Sequence, residues 1–387
     1  MIHLWLRNLF SSWQSFFALK KLEENALVFY AESNADWAHI GSVLNHLLEN
    51  LQQPVTCVTS DPEDSILKRV HPKLQTFFIG SGTARTLFFQ GLKAKAMVMT
   101  LTDLNVYFLR RSVNPVHYFY IFHALVSTHA AYRENAFDGY DTIFCVGPYH
   151  KQEIEFKEKI SQLRPKNLLD GGYCRLDQLI AEVSGIEQKL PSSENPTVLV
   201  SPTWGPSSMV ENCLEDVIKI LTSNQINTIL RLHPMTLRHF PDLPEKLEKE
   251  FGQSGFFSFD RKLQAIDSLT KADLMIADHG GSAIEFALGL EKPVISIATP
   301  AKIHNPQRDR IELPLFEDLV RPIAGAVVKP DQLNQLPKLI DSMFHESASW
   351  REKLAEVRRQ NIFNVGQSAK VMAEHIYDFV ASTQKGN

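Results

Sequence analysis

Short apolar runs alternate with helix-like segments along almost the whole chain, and this alternation limits the possible folds more than any other feature. The runs occupy residues 26–31, 55–59, 76–79, 96–100, 118–124 and 141–146 before the middle, and 197–200, 228–232, 256–259, 274–277 and 292–297 after it. The segments between them have helical length and patterning, for example 34–51 and 151–163. Repeated β–α alternation is typical of parallel sheets with helices on both faces. We therefore predict an α/β chain of two Rossmann-like, doubly wound domains that face each other across a cleft.

The polar segment 184–196, SGIEQKLPSSENP, interrupts this alternation and is the best linker candidate. The predicted organisation is a helix at 1–21, a first α/β domain at 22–190, a second at 191–365 and a C-terminal helix at 366–387. The last helix could cross back to the first domain. A length of 387 residues is ample for two such cores.

The overall charge and the cysteines argue against several classes of protein. A net charge of −4 gives no sign of nucleic-acid binding through bulk electrostatics. The four cysteines, Cys57, Cys145, Cys174 and Cys213, are far apart and form no CxxC pair. This pattern favours reduced, buried thiols in a cytosol over a disulfide framework or a zinc site.

The N-terminus carries a different pattern, in which large apolar side chains recur at helical spacing. They are Ile2, Trp5, Leu6, Leu9, Phe10, Trp13, Phe16 and Phe17. A Trp- and Phe-rich amphipathic helix of this kind could lie in the plane of a bilayer surface. It could equally pack on its own domain or on another subunit. No run approaches the eighteen or so apolar residues of a membrane span.

The segment with the clearest chemical signal follows the apolar run 274–277. It reads Asp278-His279-Gly280-Gly281-Ser282, after which a helix begins. A strand, a glycine turn and a helix N-terminus bring unpaired N–H groups and a positive dipole end to one point, where anions bind. Glu285, about one turn into the helix, could accept hydrogen bonds from a ribose. An ordinary βαβ turn would have the same pattern.

Arg231-Leu232-His233-Pro234 closes another predicted strand. If the strand continues, Arg231 and His233 lie on one face, because strand side chains alternate. A guanidinium and an imidazole together suit phosphate oxygens. The tetrapeptide alone is a weak signal.

His123 ends the most apolar strand of the first half, in Phe122-His123-Ala124. An imidazole at the carboxyl end of a strand could act as a general base toward a hydroxyl. A lone histidine on an apolar strand is more often structural. His129 competes for the same role from a predicted loop.

Two further turns follow strand-like segments. Pro202-Thr203-Trp204-Gly205 comes directly after 197–200, and Gly172-Tyr173-Cys174-Arg175-Leu176-Asp177 opens a helix in which Asp177 would be a first-turn acid. A binding role and a plain turn or cap are equally good interpretations of both.

These motifs occur in an order that resembles the CDP-glycerol glycerophosphotransferase family, which makes teichoic-acid-like polymers. Its members carry Trp-His-Gly, Gly-x-Pro-Arg-x-Asp, Pro-Thr-Trp, Arg-x-His-Pro, Asp-Tyr-Ser-Ser with Asp-Phe-Ala in the following helix, and Lys-Pro. The corresponding segments here are 122–124, 172–177, 202–204, 231–234, 278–281 with 285–287, and 292–293. The resemblance covers about residues 118 to 298, and the ordered spacing is more specific than any one motif.

The chain departs from the family pattern at several positions. Ala124 replaces the glycine after the histidine, Cys174 replaces a proline, and Gly205 replaces an arginine. Gly280 and Gly281, after His279, remove two hydroxyls that would face a phosphate. Backbone N–H groups could substitute for them, since glycine permits close approach. The nucleotide or the transferred group could therefore differ from CDP-glycerol.

The resemblance implies a GT-B fold, with an N-terminal acceptor-side domain and a C-terminal donor-binding domain. It further implies a transferase that moves a glycerol-phosphate-like (polyol-phosphate) group from a CDP-activated donor to a hydroxyl of a cell-surface glycan or lipid-linked acceptor. The catalytic residues would be His123 and His233. The nucleotide and its phosphates would be bound by Arg231, Thr203, Asp278, His279, Gly280, Gly281, Ser282 and Glu285, with Arg175, Asp177 and His129 as further candidates.

The resemblance implies no required cofactor, and no acidic cluster with metal-ligand spacing occurs in the sequence, so a divalent cation would arrive with the donor. We expect a cytoplasmic protein, peripheral on the inner face of the cell membrane if 1–21 binds lipid. One alternative is a GT-B glycosyltransferase for surface polysaccharide that uses a UDP- or CMP-sugar. Another is a non-catalytic scaffold held at a membrane.

Overall fold

The computed structural model describes residues 2–106, 109–184, 195–261, 266–300 and 303–382, and side chains from residue 6 onward. The chain divides into two compact units. Unit 1 contains Met1–His123, Tyr132–Arg175 and Ile362–Asn387, and unit 2 contains Ala124–Ala131 and Leu176–Asn361. The boundary predicted between residues 190 and 191 lies outside the described residues.

The strands, in chain order, are β1 Leu27–Ala31, β2 Val55–Thr59, β3 Leu74–Phe78, β4 Ala96–Met99, β5 His117–Ile121, β6 Thr142–Cys145, β7 Asn167–Asp170, β8 Thr197–Val200, β9 Asn227–Leu230, β10 Phe257–Phe259, β11 Leu274–Ala277, β12 Val294–Ile297 and β13 Gly325–Val328.

The α-helices are α1 Ile2–Leu19, α2 Trp37–Glu49, α3 Thr83–Gly91, α4 Thr128–Ala131, α5 Pro148–Ser161, α6 Cys174–Ser184, α7 Met209–Asn212, α8 Leu214–Ser223, α9 Pro234–His239, α10 Leu243–Phe251, α11 Ile266–Lys271, α12 Gly281–Leu290, α13 Phe316–Ala324, α14 Leu336–His345, α15 Ser347–Asn361 and α16 Ser368–Ala381. Short 3-10 helices occupy Asn34–Asp36, Ser65–Lys68, Gly252–Ser254, Arg308–Arg310 and Pro330–Gln335.

Unit 1 is built on a parallel sheet of seven strands in the order β3-β2-β1-β4-β5-β6-β7. Every residue of β1, β2 and β4 is buried, as expected for strands covered on both faces. Helix α2 supplies one cover through Ile40, Val43, Leu44, Leu47 and Leu48. Their spacing places all five on one face of the helix. Helix α16, from the far end of the chain, packs on α2.

Unit 2 is built on a second parallel sheet, in the order β10-β9-β8-β11-β12-β13. Its central pair aligns Leu199 of β8 with Met275 of β11, and both side chains are fully buried. Helix α8 covers this sheet with an apolar stripe of four residues, Leu214, Val217, Ile218 and Leu221. The prediction of two doubly wound parallel sheets is confirmed.

Two predicted strands end earlier than expected. The strand predicted at 118–124 ends at Ile121, and the strand predicted at 228–232 ends at Leu230. Pro234 has no N–H and restricts the residue before it to extended backbone, so the chain turns away from the sheet. The expectation that Arg231 and His233 share a strand face is therefore wrong, because both lie beyond β9.

Helix α1 packs against α3 and β3 through part of its surface. Ser12, Phe16 and Leu19 are buried there. Leu6, Leu9, Phe10 and Phe17 are exposed, with 65% of Phe10 and 58% of Phe17 accessible. The helix therefore contacts its own unit and still presents an apolar surface. Within the described ranges, no helix combines the length and apolar character that a membrane crossing requires.

The four cysteines are buried free thiols, as predicted. Burial raises the pKa of Cys57 and Cys145 well above the usual thiol value, and that of Cys213 to about 11. Such thiols remain protonated and unreactive near neutral pH.

Candidate functional site

The predicted site residues of each unit lie close to the carboxyl ends of its strands. In unit 1, His123 comes two residues after β5. In unit 2, Thr203, Arg231 and Asp278 follow β8, β9 and β11, which are neighbours in the sheet. Ligands of doubly wound sheets bind at this edge.

The His123 imidazole is half-buried and is held in one orientation. Its Nδ1 atom lies 3.2 Å from the Thr100 carbonyl oxygen and 3.2 Å from the Tyr120 hydroxyl. Because a carbonyl can only accept, Nδ1 carries the proton, and the neutral ring has its lone pair on Nε2. The Tyr173 hydroxyl donates to the His123 carbonyl oxygen at 3.1 Å and fixes the backbone.

Two opposing influences act on the His123 pKa, and the effect of burial is the larger. Burial lowers it below the usual histidine value, while the Asp36 carboxylate and the Thr100 hydrogen bond raise it. The imidazole is therefore neutral at neutral pH, and these two groups stabilise the imidazolium once a proton arrives. This is the arrangement of a group that can accept a proton.

A second imidazole, which sequence analysis missed, lies beside His123. His39, near the start of α2, has its ring centroid 6.2 Å from that of His123 and 5.8 Å from that of Tyr173. Burial, His123 and Arg175 together lower the His39 pKa to about 3, so this ring stays neutral. Its buried Nδ1 atom has no hydrogen-bond partner among the described residues.

Arg175 and Asp177 both lie in the first turn of α6. Arg175 belongs to unit 1 and acts electrostatically on His39. Asp177 belongs to unit 2, and its side chain is half-buried.

Asp278 is fully buried, and both of its carboxylate oxygens accept backbone hydrogen bonds. The Thr203 amide donates to one oxygen at 2.7 Å, and the Met209 amide donates to the other at 2.7 Å. Asp278 thereby fastens the loop that connects β8 to α7. It organises the site through this loop.

Gly280 and Gly281 are glycines for different physical reasons. A Cβ atom on Gly280 would lie 2.7 Å from Thr203 Cγ2, so a side chain here would require the Thr203 side chain to move. A Cβ atom on Gly281 would meet its nearest neighbours, including Ala124 Cβ, at 3.8 Å, which is ordinary contact. The protein therefore tolerates a side chain at Gly281, and its glycine leaves the first turn of α12 open to a ligand.

The N-terminus of α12 has the features of an anion site. Gly280 is the N-cap, and it provides no side-chain hydrogen bond to the first-turn amides. Ser282, the second residue of the helix, is exposed. Glu285, the fifth, is half-buried, one turn from the helix start as the sequence predicts.

His279 has both ring nitrogens engaged. Nε2 contacts the Thr299 carbonyl oxygen and Nδ1 contacts the Arg321 guanidinium. Because a guanidinium only donates, Nδ1 accepts and the proton is on Nε2. Burial, and then Arg321, lower the pKa of His279. His279 is therefore a neutral, oriented ring.

Arg231 is oriented by an acid that the sequence analysis missed. Its Nη1 atom lies 2.8 Å from Asp260 Oδ2, and the Asp260 side chain is only 9% exposed. Asp260 directly follows β10, the neighbour of β9. The pair holds the guanidinium at the carboxyl end of the sheet.

His233 caps the short helix α9. Its Nδ1 atom accepts from the Met235 amide at 3.0 Å, so the neutral ring carries its proton on Nε2. The Trp204 indole lies nearly parallel to both His233 and His239, at centroid distances of 6.0 and 6.1 Å. His233 is exposed, and its Nε2–H can donate to an anion.

Gly205 follows Trp204 with a φ of +104°. An arginine at this position would be strained in the same backbone conformation.

His129 is buried in α4, and its hydrogen bonds connect parts of the fold. Its Nε2 donates to the Leu313 carbonyl oxygen at 3.2 Å, and its own carbonyl accepts from Asn305 Nδ2 at 3.0 Å. These bonds tie α4 to the segment that follows β12. Across the residues that can be described, no group of three His, Cys, Asp or Glu side chains has the geometry of a metal site.

Sequence analysis missed several residues of these sites, among them His39, Asp260 and Arg321. Asp260 had a usable signal, since an acid directly after a parallel strand lies at the ligand edge. His39 had a weaker sequence signal, which is its position near the start of the helix that follows β1. Arg321 had none, because it reaches His279 from α13.

No protein family matches the sequence, and no curated protein matches it either. Solved structures match in fold. The wall teichoic acid polymerase TagF matches with a TM-score of 0.59 over 94% of this chain and 91% of that one, at 13% identity. The UDP-GlcNAc 2-epimerase of Methanocaldococcus jannaschii, in complex with UDP-GlcNAc and UDP, gives 0.56 over 91% and 99%, at 14% identity. The epimerase of Neisseria meningitidis bound to UDP-GlcNAc gives 0.57 over 91% and 99%, at 11% identity. These similarities, together with the two sheets, show that the chain has the GT-B fold.

Proposed function

We propose that this protein is a transferase that moves a polyol-phosphate group, such as glycerol phosphate, from a CDP-activated donor to a hydroxyl group. The acceptor in this proposal is a cell-surface glycan or a lipid-linked precursor. The observation that carries the proposal is the His123 imidazole, whose Nδ1–H bond to Thr100 leaves the Nε2 lone pair for a proton. The fold shared with TagF, of which one structure was soaked with CDPG, supports the choice of donor.

In the proposed reaction, His123 Nε2 takes the proton of the acceptor hydroxyl as its oxygen attacks the phosphorus that carries the polyol. The bond from that phosphorus to the bridging oxygen breaks, and CMP leaves with the electron pair. Phosphoryl transfer depends mainly on positioning and charge stabilisation, so no covalent intermediate is required. Asp36 and the Thr100 carbonyl stabilise the imidazolium.

Unit 2 binds the donor in this proposal. The first-turn amides of α12 and the guanidinium of Arg231 contact phosphate oxygens, and Nε2–H of His233 donates to the leaving phosphate. Glu285 accepts from the ribose hydroxyls. Thr203, fastened by Asp278, lines the same edge. A divalent cation, where one takes part, enters with the donor.

A GT-B glycosyltransferase that uses a UDP- or CMP-sugar is the second candidate. The epimerase complexes with UDP-GlcNAc have the same fold, and His279-Gly280-Gly281 lacks the two hydroxyls of the glycerophosphotransferase motif.

The donor that is bound and turned over separates the two candidates. We expect CDP-glycerol and CDP to raise the melting temperature more than UDP-GlcNAc and UDP at equal concentration. Incubation with CDP-glycerol and an envelope fraction should release CMP. Stabilisation by uridine nucleotides alone, with release of UDP, would support the glycosyltransferase. No stabilisation by any of them would leave the scaffold as the better hypothesis.

A further inference from the structure

Unit 2 contains a cavity of about 160 Å³ beside the glycine turn. One wall is Gly280 with His279, and another is apolar, formed by Val126, Ala131 and Leu315. The cavity therefore adjoins the place where we put the donor phosphates, and it is large enough for a small organic group.

The charges around the cavity largely cancel. The guanidinium of Arg321 donates to Asp318 Oδ1 at 3.0 Å, and Arg308 pairs with Asp309 at 3.3 Å. Glu317 accepts from the Ser127 amide at 2.9 Å. A phosphate here would face the carboxylates of Glu317 and Asp318. The lining thus favours an uncharged ligand over a further anion.

The lining nevertheless offers several hydrogen-bonding groups of both kinds. Arg308 and Arg321 provide N–H donors, while the carboxylates of Glu317 and Asp318 provide acceptors. Hydroxyl groups both donate and accept, so they match a mixed lining better than a purely cationic or acidic one. The apolar wall suits the C–H faces of a polyol or sugar.

We propose that this cavity binds the uncharged, polyhydroxylated group that the donor carries. The inference rests on the proposed function, because it assigns the cavity to the same donor. The paired charges and the mixed donors and acceptors of the lining set the preference for hydroxyls.

The test is to fill the cavity and to compare the affinity for CDP-glycerol, which carries the polyol, with the affinity for CDP, which does not. Ala131 lines the cavity with a half-buried methyl group, so Ala131→Leu should occupy part of it. Ala355→Leu, at a half-buried helical alanine of α15 in the same unit, is the matched control. Isothermal titration calorimetry on the full chain measures the affinities for CDP-glycerol and CDP.

We expect Ala131→Leu to weaken CDP-glycerol binding by about tenfold or more and CDP binding by less than about twofold, with Ala355→Leu affecting neither. Equal losses for both nucleotides, or no loss for either, would overturn the inference. Should Ala131→Leu fail to fold, Ala131→Val makes the same comparison.

A different experimental result would contradict the proposed function itself. If the wild type binds neither CDP-glycerol nor CDP, the donor assignment itself is wrong, and the cavity inference falls with it. If the wild type binds both and the Ala131 variants do not separate them, only the cavity inference is wrong.

Discussion

At the scale of single residues, the chemistry of this protein depends on which atoms hold protons. His123, His233 and His279 are three imidazoles in different hydrogen-bonding environments, so each has a definite tautomer. Sequence analysis selected His123 from its predicted position at the end of an apolar strand. It missed His39, because burial beside another imidazole is a tertiary property that composition and spacing do not record.

His39 makes a prediction about stability. Its pKa is about 3 in the folded protein, against about 6.5 in an unfolded chain, so between these values the unfolded chain binds more protons. The free energy of unfolding should therefore decrease as the pH falls below about 6.5, by up to about 1.4 kcal/mol per pH unit from this residue. His39→Gln should flatten that slope in urea denaturation series at pH 7, 6 and 5.

The control for this prediction is His46→Gln, in the same helix α2 and half-buried. It should keep the wild-type slope. Parallel pH dependences of the wild type and His39→Gln would show that His39 is not the responsible group.

At the scale of elements, the turn between β11 and α12 is where sequence and structure agree best. The apolar run, the glycines and the following helix were each predictable from local pattern, since a fully buried strand and a helix N-terminus have strong local signals. The end of β9 was predicted less well. The apolar pattern predicted a strand up to residue 232, but His233 and Pro234 begin a helix there and the strand ends earlier.

The two glycines of this turn should respond differently to alanine. Gly280→Ala places a methyl group 2.7 Å from Thr203 Cγ2, and we expect it to lower the free energy of unfolding by about 1–3 kcal/mol. Gly281→Ala has room and gains helix propensity, so it should leave stability within about 1 kcal/mol of wild type while weakening CDP binding. Denaturation and calorimetry measure the two effects. Equal destabilisation by both variants would contradict the packing argument.

At the scale of the whole molecule, the sequence predicted two parallel sheets because strand and helix periods alternate along the chain. It could not predict that residues 124–131 group with unit 2, because contact with a distant segment determines this. Helix α1 shows the same limit. Its apolar spacing is visible in the sequence, but which side chains face α3 is not.

We propose that the exposed apolar surface of α1 contacts a membrane. Phe10 and Phe17 are exposed, so replacing both with aspartate should leave the packing of Leu19 intact and remove only the contact between the Phe17 ring and its neighbours in the same helix, Trp13 and Phe16. Burying each phenylalanine would contribute about 1.5–3 kcal/mol, so the double variant should co-sediment with anionic vesicles at least about tenfold less than wild type. The control is one double variant, Val70→Asp with Val113→Asp, which changes two exposed sites elsewhere in unit 1. Equal sedimentation of all three proteins would argue against the membrane.

In the proposed reaction, His123 is the base that activates the acceptor hydroxyl. The direct measurement is the rate of CMP release from CDP-glycerol in the presence of an envelope fraction, for wild type, His123→Gln and the control His46→Gln. We predict that His123→Gln lowers kcat by about 10²–10⁴-fold, leaves the affinity for CDP-glycerol unchanged, and unfolds like the wild type. A folded His123→Gln protein that releases CMP within about threefold of the wild-type rate would contradict this account.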